Sequence, residues 1–297
     1  MGNFIKKMKS ILIIINPIAG KEIAKKKLYK IISSFQKKNC KTLIYIIKNK
    51  DSDKDIEKLI NDIDCVICCG GDGTISHITR IVSEANREIP IAYIPCGTTN
   101  DFSRNLGLTK NFNKNIYKVL HGKVHKHDLS FIDDKSFVYV AAFGAFVEAS
   151  FNTPQSSKNI LGRLSYIISG AKELLNIKEL NTRITIDDKI VEGKFALGIV
   201  TNSKYVGGFH VPKKYINQNN GKMTIYLYKK PKPINMFNKL AYLFCDTYND
   251  EDVIIYEGRD IKIEFDEDII MTVDGEEYNP GRKVKISVKK DGIKYIY

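Results

Sequence analysis

Four short apolar runs, at residues 10–15, 42–47, 65–69 and 89–94, alternate with stretches whose apolar residues recur at helical spacing. That alternation confines the N-terminal part of the chain to a parallel α/β layer structure. Ile23, Leu28, Ile31, Ile32 and Phe35 mark the first helical stretch. Asp51-Ser52-Asp53 supplies N-cap candidates for a second, with Ile56, Leu59, Ile60 and Ile63 turned inward. Ile75, Ile78, Val82 and Ala85 mark a third. From about Lys126 the texture changes to β segments at 136–146, 182–186, 195–201, 223–228, 261–265, 269–273 and 284–288, with helical insertions at 166–175 and 235–248. The expectation is an α/β domain with a parallel sheet over 1–126 and an all-β sandwich over 127–297.

No apolar run approaches the length of a bilayer span, and the first residues lack the long apolar stretch and small-residue cleavage site of a signal peptide. A cytoplasmic protein is expected. Cys65 and Cys68 have C-x-x-C spacing but lie in one apolar strand, where the two-residue period points them to opposite faces, so buried free thiols are expected rather than a metal site. The formal net charge is +13, and lysine is spread along the whole chain. This balance suits a nucleotide or an anionic membrane surface, but it equally fits compositional bias. Neither zinc-finger spacing nor an aromatic–basic RNA motif accompanies it, so nucleic acid is not favoured.

Every strong chemical signal in the first half falls where a strand ends and a helix begins. Asn16-Pro17-Ile18-Ala19-Gly20-Lys21 combines a tight turn with a following helix that offers N–H groups to an anion. Alone it is ordinary turn chemistry. Gly70-Gly71-Asp72-Gly73-Thr74, with Ile75 and Ser76 behind it, has three glycines that let backbone approach a phosphate, and Asp72 is placed to hold a cation or a hydroxyl. Pro95-Cys96-Gly97-Thr98-Thr99-Asn100-Asp101-Phe102-Ser103-Arg104 brings hydroxyl, amide and carboxylate groups to one rim. A nucleotide and its Mg²⁺ require such a set.

In combination these elements, in this order and spacing, resemble the diacylglycerol kinase catalytic family, whose soluble bacterial members also carry a motif like Val273-Asp274-Gly275-Glu276. The resemblance extends over nearly the whole chain, including 152–170. It implies a nucleotide-binding α/β domain followed by a β-sandwich lipid-substrate domain, and ATP-dependent phosphorylation of a lipid alcohol, most simply diacylglycerol to phosphatidic acid. By the same resemblance Asn16, Pro17, Ile18, Ala19, Gly20, Gly70, Gly71, Asp72, Gly73, Thr74, Ile75, Ser76 and Thr98 are the ATP positions. Asp101 and Asp128 belong to a metal–water network, and Asp274 is the proton acceptor. Asn220 and Lys222 fall where relatives hold a structural Mg²⁺, but the two carboxylates of that loop are amides here, in Tyr215-Ile216-Asn217-Gln218-Asn219-Asn220-Gly221-Lys222. Weak Mg²⁺ binding, or none, is expected there.

Two departures accompany the resemblance. A family threonine at the end of the second strand is Ile47, and a family lysine aligns near Ser169, with Lys172 a potential substitute. His125 and His127, before Asp128, are read as surface-strand residues for want of a third metal ligand. The implied partner is a membrane lipid at the bilayer surface, met by peripheral association, and a homodimer is left open. Rival readings are an NAD-kinase-like enzyme, which lacks the P-x-G-T-x-N-D-F element, a sphingoid-base kinase, and a nucleotide- or lipid-binding regulator without turnover. Asp274 alone, in a D-G turn, reads as a plain hairpin residue.

Overall fold

A computed structural model of the chain describes residues 8–20, 22–36, 41–48, 52–85, 87–145, 147, 178–206, 209–210, 219–230 and 253–297. The helices expected at 166–175 and 235–248 lie outside the described residues, as do 152–170, Lys21, Ser169, Lys172 and 215–218. The chain divides into two compact units, residues 1–129 with 291–297, and 130–290. The sequence border after 126 is therefore moved by three residues, and the last seven residues pass from the second domain to the first. The reason is strand pairing, given below.

The first unit contains β1 (Ser10–Ile15), α1 (Ile23–Lys26), α2 (Leu28–Gln36), β2 (Lys41–Ile46), α3 (Ser52–Leu59), β3 (Cys65–Gly70), α4 (Asp72–Glu84), β4 (Ile91–Pro95), α5 (Asp101–Asn105) and α6 (Phe112–His121). It also takes most of β5 (Val124–Ile132). Strands β1 to β4 form a parallel sheet in the order β2-β1-β3-β4. The chain's last strand joins its edge, Tyr295 and Ile296 pairing in parallel with Ile91 and Ala92 of β4.

Strands buried on both faces read as unbroken apolar runs, and β1 and β3 are such strands. On one face Ile11, Ile13, Ile15, Cys65, Ile67 and Cys69 pack with Ile31 and Phe35 of α2 and Ile116, Val119 and Leu120 of α6. Leu12, Ile14, Val66 and Cys68 alternate to the other face and are equally buried. There α4 contacts β3, and α3 contacts α4. Cys65 and Cys68 thus do face opposite ways, and both are free thiols. The helix expected across 23–35 is broken at Lys27, which stands at φ −104° between α1 and α2.

The second unit contains β6 (Lys135–Phe137), β7 (Val140–Gly144), β8 (Leu180–Ile186), β9 (Lys189–Phe195) and β10 (Leu197–Thr201). A short ribbon of β11 (Tyr205–Val206) and β12 (Phe209–His210) follows, then β13 (Met223–Tyr228), β14 (Val253–Gly258), β15 (Asp260–Val273) and β16 (Glu276–Ile296). One layer is ordered β14-β13-β10-β7-β15 and is antiparallel throughout. The other is built on the first half of β15, which pairs with β8 and β16, β8 pairing in turn with β9. Strand β15 serves both layers because its register shifts between Glu264 and Ile269. Phe143, Ile184, Val200, Ile225, Ile263 and Phe265 fill the space between the layers. This is the expected sandwich, with corrections in detail. Residues 136–146 form two strands, because the N–H groups of Val138 and Tyr139 are diverted to a side chain described below. Residues 195–201 split at Ala196, whose N–H donates to Tyr228 and whose carbonyl accepts from Ala145. The segments at 261–265 and 269–273 are one strand.

Candidate active site

In the first unit the strand order reverses between β1 and β3, and the three glycine-rich turns leave the sheet at the carboxyl ends of β1, β3 and β4. Open α/β sheets take ligands in such a crevice. The turns are knitted together by backbone contact. Asn16 donates its backbone N–H to the Cys69 carbonyl at 3.0 Å and its Nδ2 to Thr74 Oγ1 at 3.0 Å, while its Oδ1 accepts from the Ile18 N–H at 3.2 Å. Gly20 stands at φ +54°, and a Cβ there would lie 1.8 Å from the Cys96 carbonyl oxygen. Only glycine allows the first turn to rest on the third. A Cβ at Gly97 would come 2.6 Å from the Cα of Gly71, so the second and third turns touch through their glycines.

Side chains complete the lattice. Asp72 accepts from the Asp101 N–H at 2.9 Å with one oxygen and from the Phe102 N–H at 3.0 Å with the other, and so caps α5. Asn100, in the left-handed region at φ 52°, accepts from the Gly97 N–H at 2.9 Å and donates to the Gly97 carbonyl at 2.7 Å. Tyr93, fully buried, reaches both Asn100 Oδ1 and the Gly70 carbonyl through its hydroxyl.

Against that rigid background, the start of α4 is different. Its N-cap is Gly71, no side chain caps it, and a Cβ on the exposed Gly73 would meet nothing within 4 Å. A 13-residue helix therefore directs its N-terminal N–H groups and positive dipole end at open space framed by glycine. Physically that is an anion site.

The predicted nucleotide residues consequently divide. Gly20, Gly70, Gly71 and Gly73 shape the cradle, and Asn16 and Thr74 brace it. Ile18, 79% exposed, and Thr98 are open to a ligand, while Pro17, Ala19 and Ser76 are half-buried. Ile75 is fully buried, so its side chain packs the core beneath α4 and does not face a nucleotide. Asp72, expected to hold a cation or hydroxyl, also has a structural duty, capping α5.

Asp101 is almost wholly buried, with Arg104 Nη1 at 3.9 Å from its Oδ1. Asp128, half-buried on β5, accepts from the Asp291 N–H at 3.1 Å. Among the described residues no three His, Cys, Asp or Glu side chains converge as a metal set. One or two carboxylates suit an ion that keeps its water and phosphate ligands, as Mg²⁺ does. His127 is not a surface residue. It is buried, donates or accepts at 3.0 Å with the Tyr297 hydroxyl, and is held neutral, its pKa lowered by desolvation and by His125 to about 4. His125 stacks on the Tyr297 ring at 4.3 Å.

Sequence reasoning missed the residue that links these parts. Tyr295, fully buried, shares a 2.9 Å hydrogen bond with Thr79 of α4 and packs edge-on against Phe102 of α5 and His127 of β5. No local pattern signals it, because its partners lie far away along the chain. The thiols around the third turn are inert: burial raises Cys68 and Cys69, and pushes Cys96 up to about 12.

In the second unit Asp274 and Gly275, at φ 51° and 89°, are the two central residues of the hairpin joining β15 and β16. The Asp274 carboxylate accepts three backbone N–H groups, from Val138 at 2.7 Å, Tyr139 at 3.0 Å and Val140 at 3.1 Å. Two other turn aspartates repeat the device. Asp133 accepts from the Lys285 N–H and Asp187 from those of Arg259 and Asp260, each with left-handed φ. Those two are exposed, whereas Asp274 is 8% exposed. In the Asn219–Gly221 turn, where weak Mg²⁺ binding or none is expected, Asn220 Oδ1 accepts from the Lys222 N–H at 3.0 Å and closes the turn.

Comparison with known proteins agrees with this division. Residues 10–132 match the model of the diacylglycerol kinase catalytic domain, and residues 140–288 match that of the YegS C-terminal NAD kinase beta sandwich-like domain. The diacylglycerol kinase of Bacillus subtilis is 27% identical over 274 residues, covering 91% of this chain and 90% of its own length. That of Staphylococcus carnosus is 27% identical over 268 residues, covering 89% of this chain and 87% of its own. A solved Bacillus anthracis structure, described as a candidate diacylglycerol kinase, has a TM-score of 0.84 at 25% identity and covers 98% of this chain and 96% of its own.

Proposed function

Because the chain belongs to the diacylglycerol kinase catalytic family and is a lipid kinase, we propose that it transfers the terminal phosphoryl group of ATP to the free hydroxyl of diacylglycerol at a bilayer surface. The observation that carries the nucleotide half is the uncapped N-terminus of α4, framed by Gly71 and Gly73 and braced by the Asn16–Thr74 hydrogen bond. Phosphoryl transfer asks little covalent chemistry of a protein. It needs positioned phosphates, neutralised charge and an acceptor for the hydroxyl proton.

In this reading the backbone N–H groups at the start of α4 hold the phosphates, and Ile18 offers an apolar surface beside them. Asp101 and Asp128 are the residues that would hold an Mg²⁺ ion arriving with the nucleotide, which neutralises phosphate charge when bound. The lipid hydroxyl oxygen forms a bond to the γ-phosphorus while the bond from that phosphorus to the β–γ bridging oxygen breaks, releasing ADP. The hydroxyl proton passes to Asp274. Three backbone N–H donors hold the Asp274 carboxylate in one orientation.

The names of the curated relatives support diacylglycerol as the substrate. The deciding experiment is a lipid panel in mixed micelles with γ-labelled ATP. Label should appear in phosphatidic acid when diacylglycerol is present, and ADP should not accumulate without lipid. Label in a sphingoid base and none in phosphatidic acid would overturn the substrate assignment.

A further inference from the structure

The peptide group that aims the Asp274 carboxylate is itself held from behind. Two of the three amides that Asp274 binds, those of Tyr139 and Val140, converge on the same oxygen, Oδ1, at 3.0 and 3.1 Å. The Val140 N–H belongs to the peptide plane whose carbonyl is that of Tyr139. That carbonyl accepts from the hydroxyl of Thr201, the last residue of β10. One peptide plane thus carries Thr201 on its oxygen and Asp274 on its N–H.

Strand register brings these groups together. Strand β7 lies between β10 and β15, with Val140 opposite Thr201 on one side and Ala141 opposite Val273 on the other. The Asp274 backbone N–H also donates to the Val140 carbonyl at 2.8 Å. Behind Thr201 the contacts continue. Its Oγ1 accepts from the Ser203 N–H at 2.9 Å, and Ser203 Oγ donates to the Tyr205 carbonyl at 2.6 Å while accepting from the Tyr205 N–H at 3.2 Å. Thr201 is fully buried, and Ser203 nearly so. A carbonyl only accepts and an amide N–H only donates, so the Thr201 hydroxyl proton has one direction, towards Tyr139. A buried hydroxyl is costly unless it is bonded, and valine would fill the same place in a strand with nothing to satisfy. In the exposed turns of Asp133 and Asp187, hairpin and neighbouring strand exchange N–H and carbonyl groups between themselves, with Lys285 and with Asp260. At Asp274 a side chain of a third strand joins the exchange.

We propose that Thr201 is a positioning residue for phosphoryl transfer: through the Tyr139–Val140 peptide plane it fixes the direction in which the Asp274 carboxylate meets the lipid hydroxyl, a reading that rests on Asp274 as the proton acceptor. A hydrogen bond on a peptide carbonyl strengthens the N–H of the same plane as a donor. The Thr201 hydroxyl therefore both places the plane and tightens its hold on Oδ1. Thr201 itself touches neither lipid nor nucleotide in this role, and its effect on turnover passes entirely through Asp274.

The test compares Thr201→Val, which keeps the shape and removes the hydroxyl, with Thr201→Ser, which keeps the hydroxyl and removes the methyl group. Each full-length variant is assayed with diacylglycerol in mixed micelles, well below its own melting temperature. Thr201→Val should lower kcat by about tenfold or more, the scale of a misaimed reacting group, and leave the KM for ATP unchanged. Thr201→Ser should recover most of that loss. In the Asp274→Asn background Thr201→Val should cause no further fall in kcat, because the carboxylate it aims is gone, whereas a purely structural threonine would subtract the same factor in both backgrounds. If Thr201→Val does not fold, Thr201→Ala against Thr201→Ser makes the same comparison. Wild-type kcat without the hydroxyl, equal losses in the Val and Ser variants, or additive losses in the double variant would overturn the proposal while Asp274→Asn stays slow. Wild-type turnover in Asp274→Asn alone is a different result: it would remove the proton acceptor, and the role of Thr201 with it.

Discussion

Replacing Asp274 by Asn tests two roles at once, because the structure loads this side chain with a clamp as well as a proposed proton. The wild-type carboxylate accepts from Val138, Tyr139 and Val140 at 2.7, 3.0 and 3.1 Å. Asn tolerates the left-handed φ of 51° about as well as Asp, so the backbone is not the source of any loss. The amide oxygen can keep two of the three donors, those of Tyr139 and Val140, and its NH₂ then faces the Val138 N–H. A buried donor left without an acceptor costs about 1–3 kcal/mol. Two charge-assisted bonds become neutral, at roughly 0.5–1 kcal/mol each. The sum is about 3 kcal/mol, enough to lower the unfolding temperature of the second unit by roughly 10 °C. Turnover measured well below that transition should fall by about 10² or more, with the KM for ATP nearly unchanged. Asp133→Asn, which perturbs the same kind of clamp at an exposed turn, should leave kcat unaltered. An Asp274→Asn protein that melts like the wild type would show that the three N–H contacts carry no weight. Wild-type turnover in it would remove the proton from Asp274.

The glycines make a matched pair: Gly73→Ala adds a methyl in open space and should keep the melting temperature while raising the KM for ATP severalfold, whereas Gly20→Ala must displace the Cys96 carbonyl and should lower soluble expression. Equal behaviour of the two would contradict the cradle. His127 gives a pH signature. Its folded pKa, about 4, lies below the unfolded value near 6.5, so the unfolded chain binds the extra proton and stability falls as pH drops from about 6.5 towards 4. The full effect is on the order of 3 kcal/mol, and His127→Phe should flatten thermal unfolding curves over that range. For the turn at Asn220, whose amide oxygen already accepts from Lys222, metal analysis of dialysed, nucleotide-free protein should find no stoichiometric Mg²⁺, and Asn220→Asp should be needed to gain it.

The parallel sheet was legible because strands buried on both faces must be apolar at every position, and 10–15 and 65–69 leave no other choice. The three turns were legible for a related reason. A Cβ at Gly20 or Gly97 would collide with backbone, so these positions are fixed by geometry as much as by any ligand. The sequence could not separate those two causes. Asp72 illustrates this: a carboxylate in a glycine-rich turn reads as ligand chemistry, yet both of its oxygens cap α5. The tail was illegible altogether. Tyr295 meets Thr79, Phe102 and His127 only after the chain has closed the second unit and returned, and nothing in residues 291–297 announces a strand of the first sheet.

Asp274 sits between these cases, and its two siblings sharpen the argument. Asp133, Asp187 and Asp274 share left-handed φ and carboxylates aimed at N–H groups of a neighbouring segment, so the motif is first of all a way for a sandwich to pin a hairpin to the strand beside it. A pinned turn does not need burial, and at Asp133 and Asp187 there is none. At Asp274 the same device gathers three donors in place of one or two, and it draws the peptide groups of Val138 and Tyr139 out of strand pairing to do so. Two ladder positions are given up for a single carboxylate. That exchange is hard to explain as hairpin stabilisation alone, since a hydrogen bond to a strand neighbour would satisfy each N–H equally well. It is the arrangement expected where a carboxylate must be held in one orientation, and orientation is what the proton acceptor proposed above needs when the proton leaves late in a loose phosphoryl transfer.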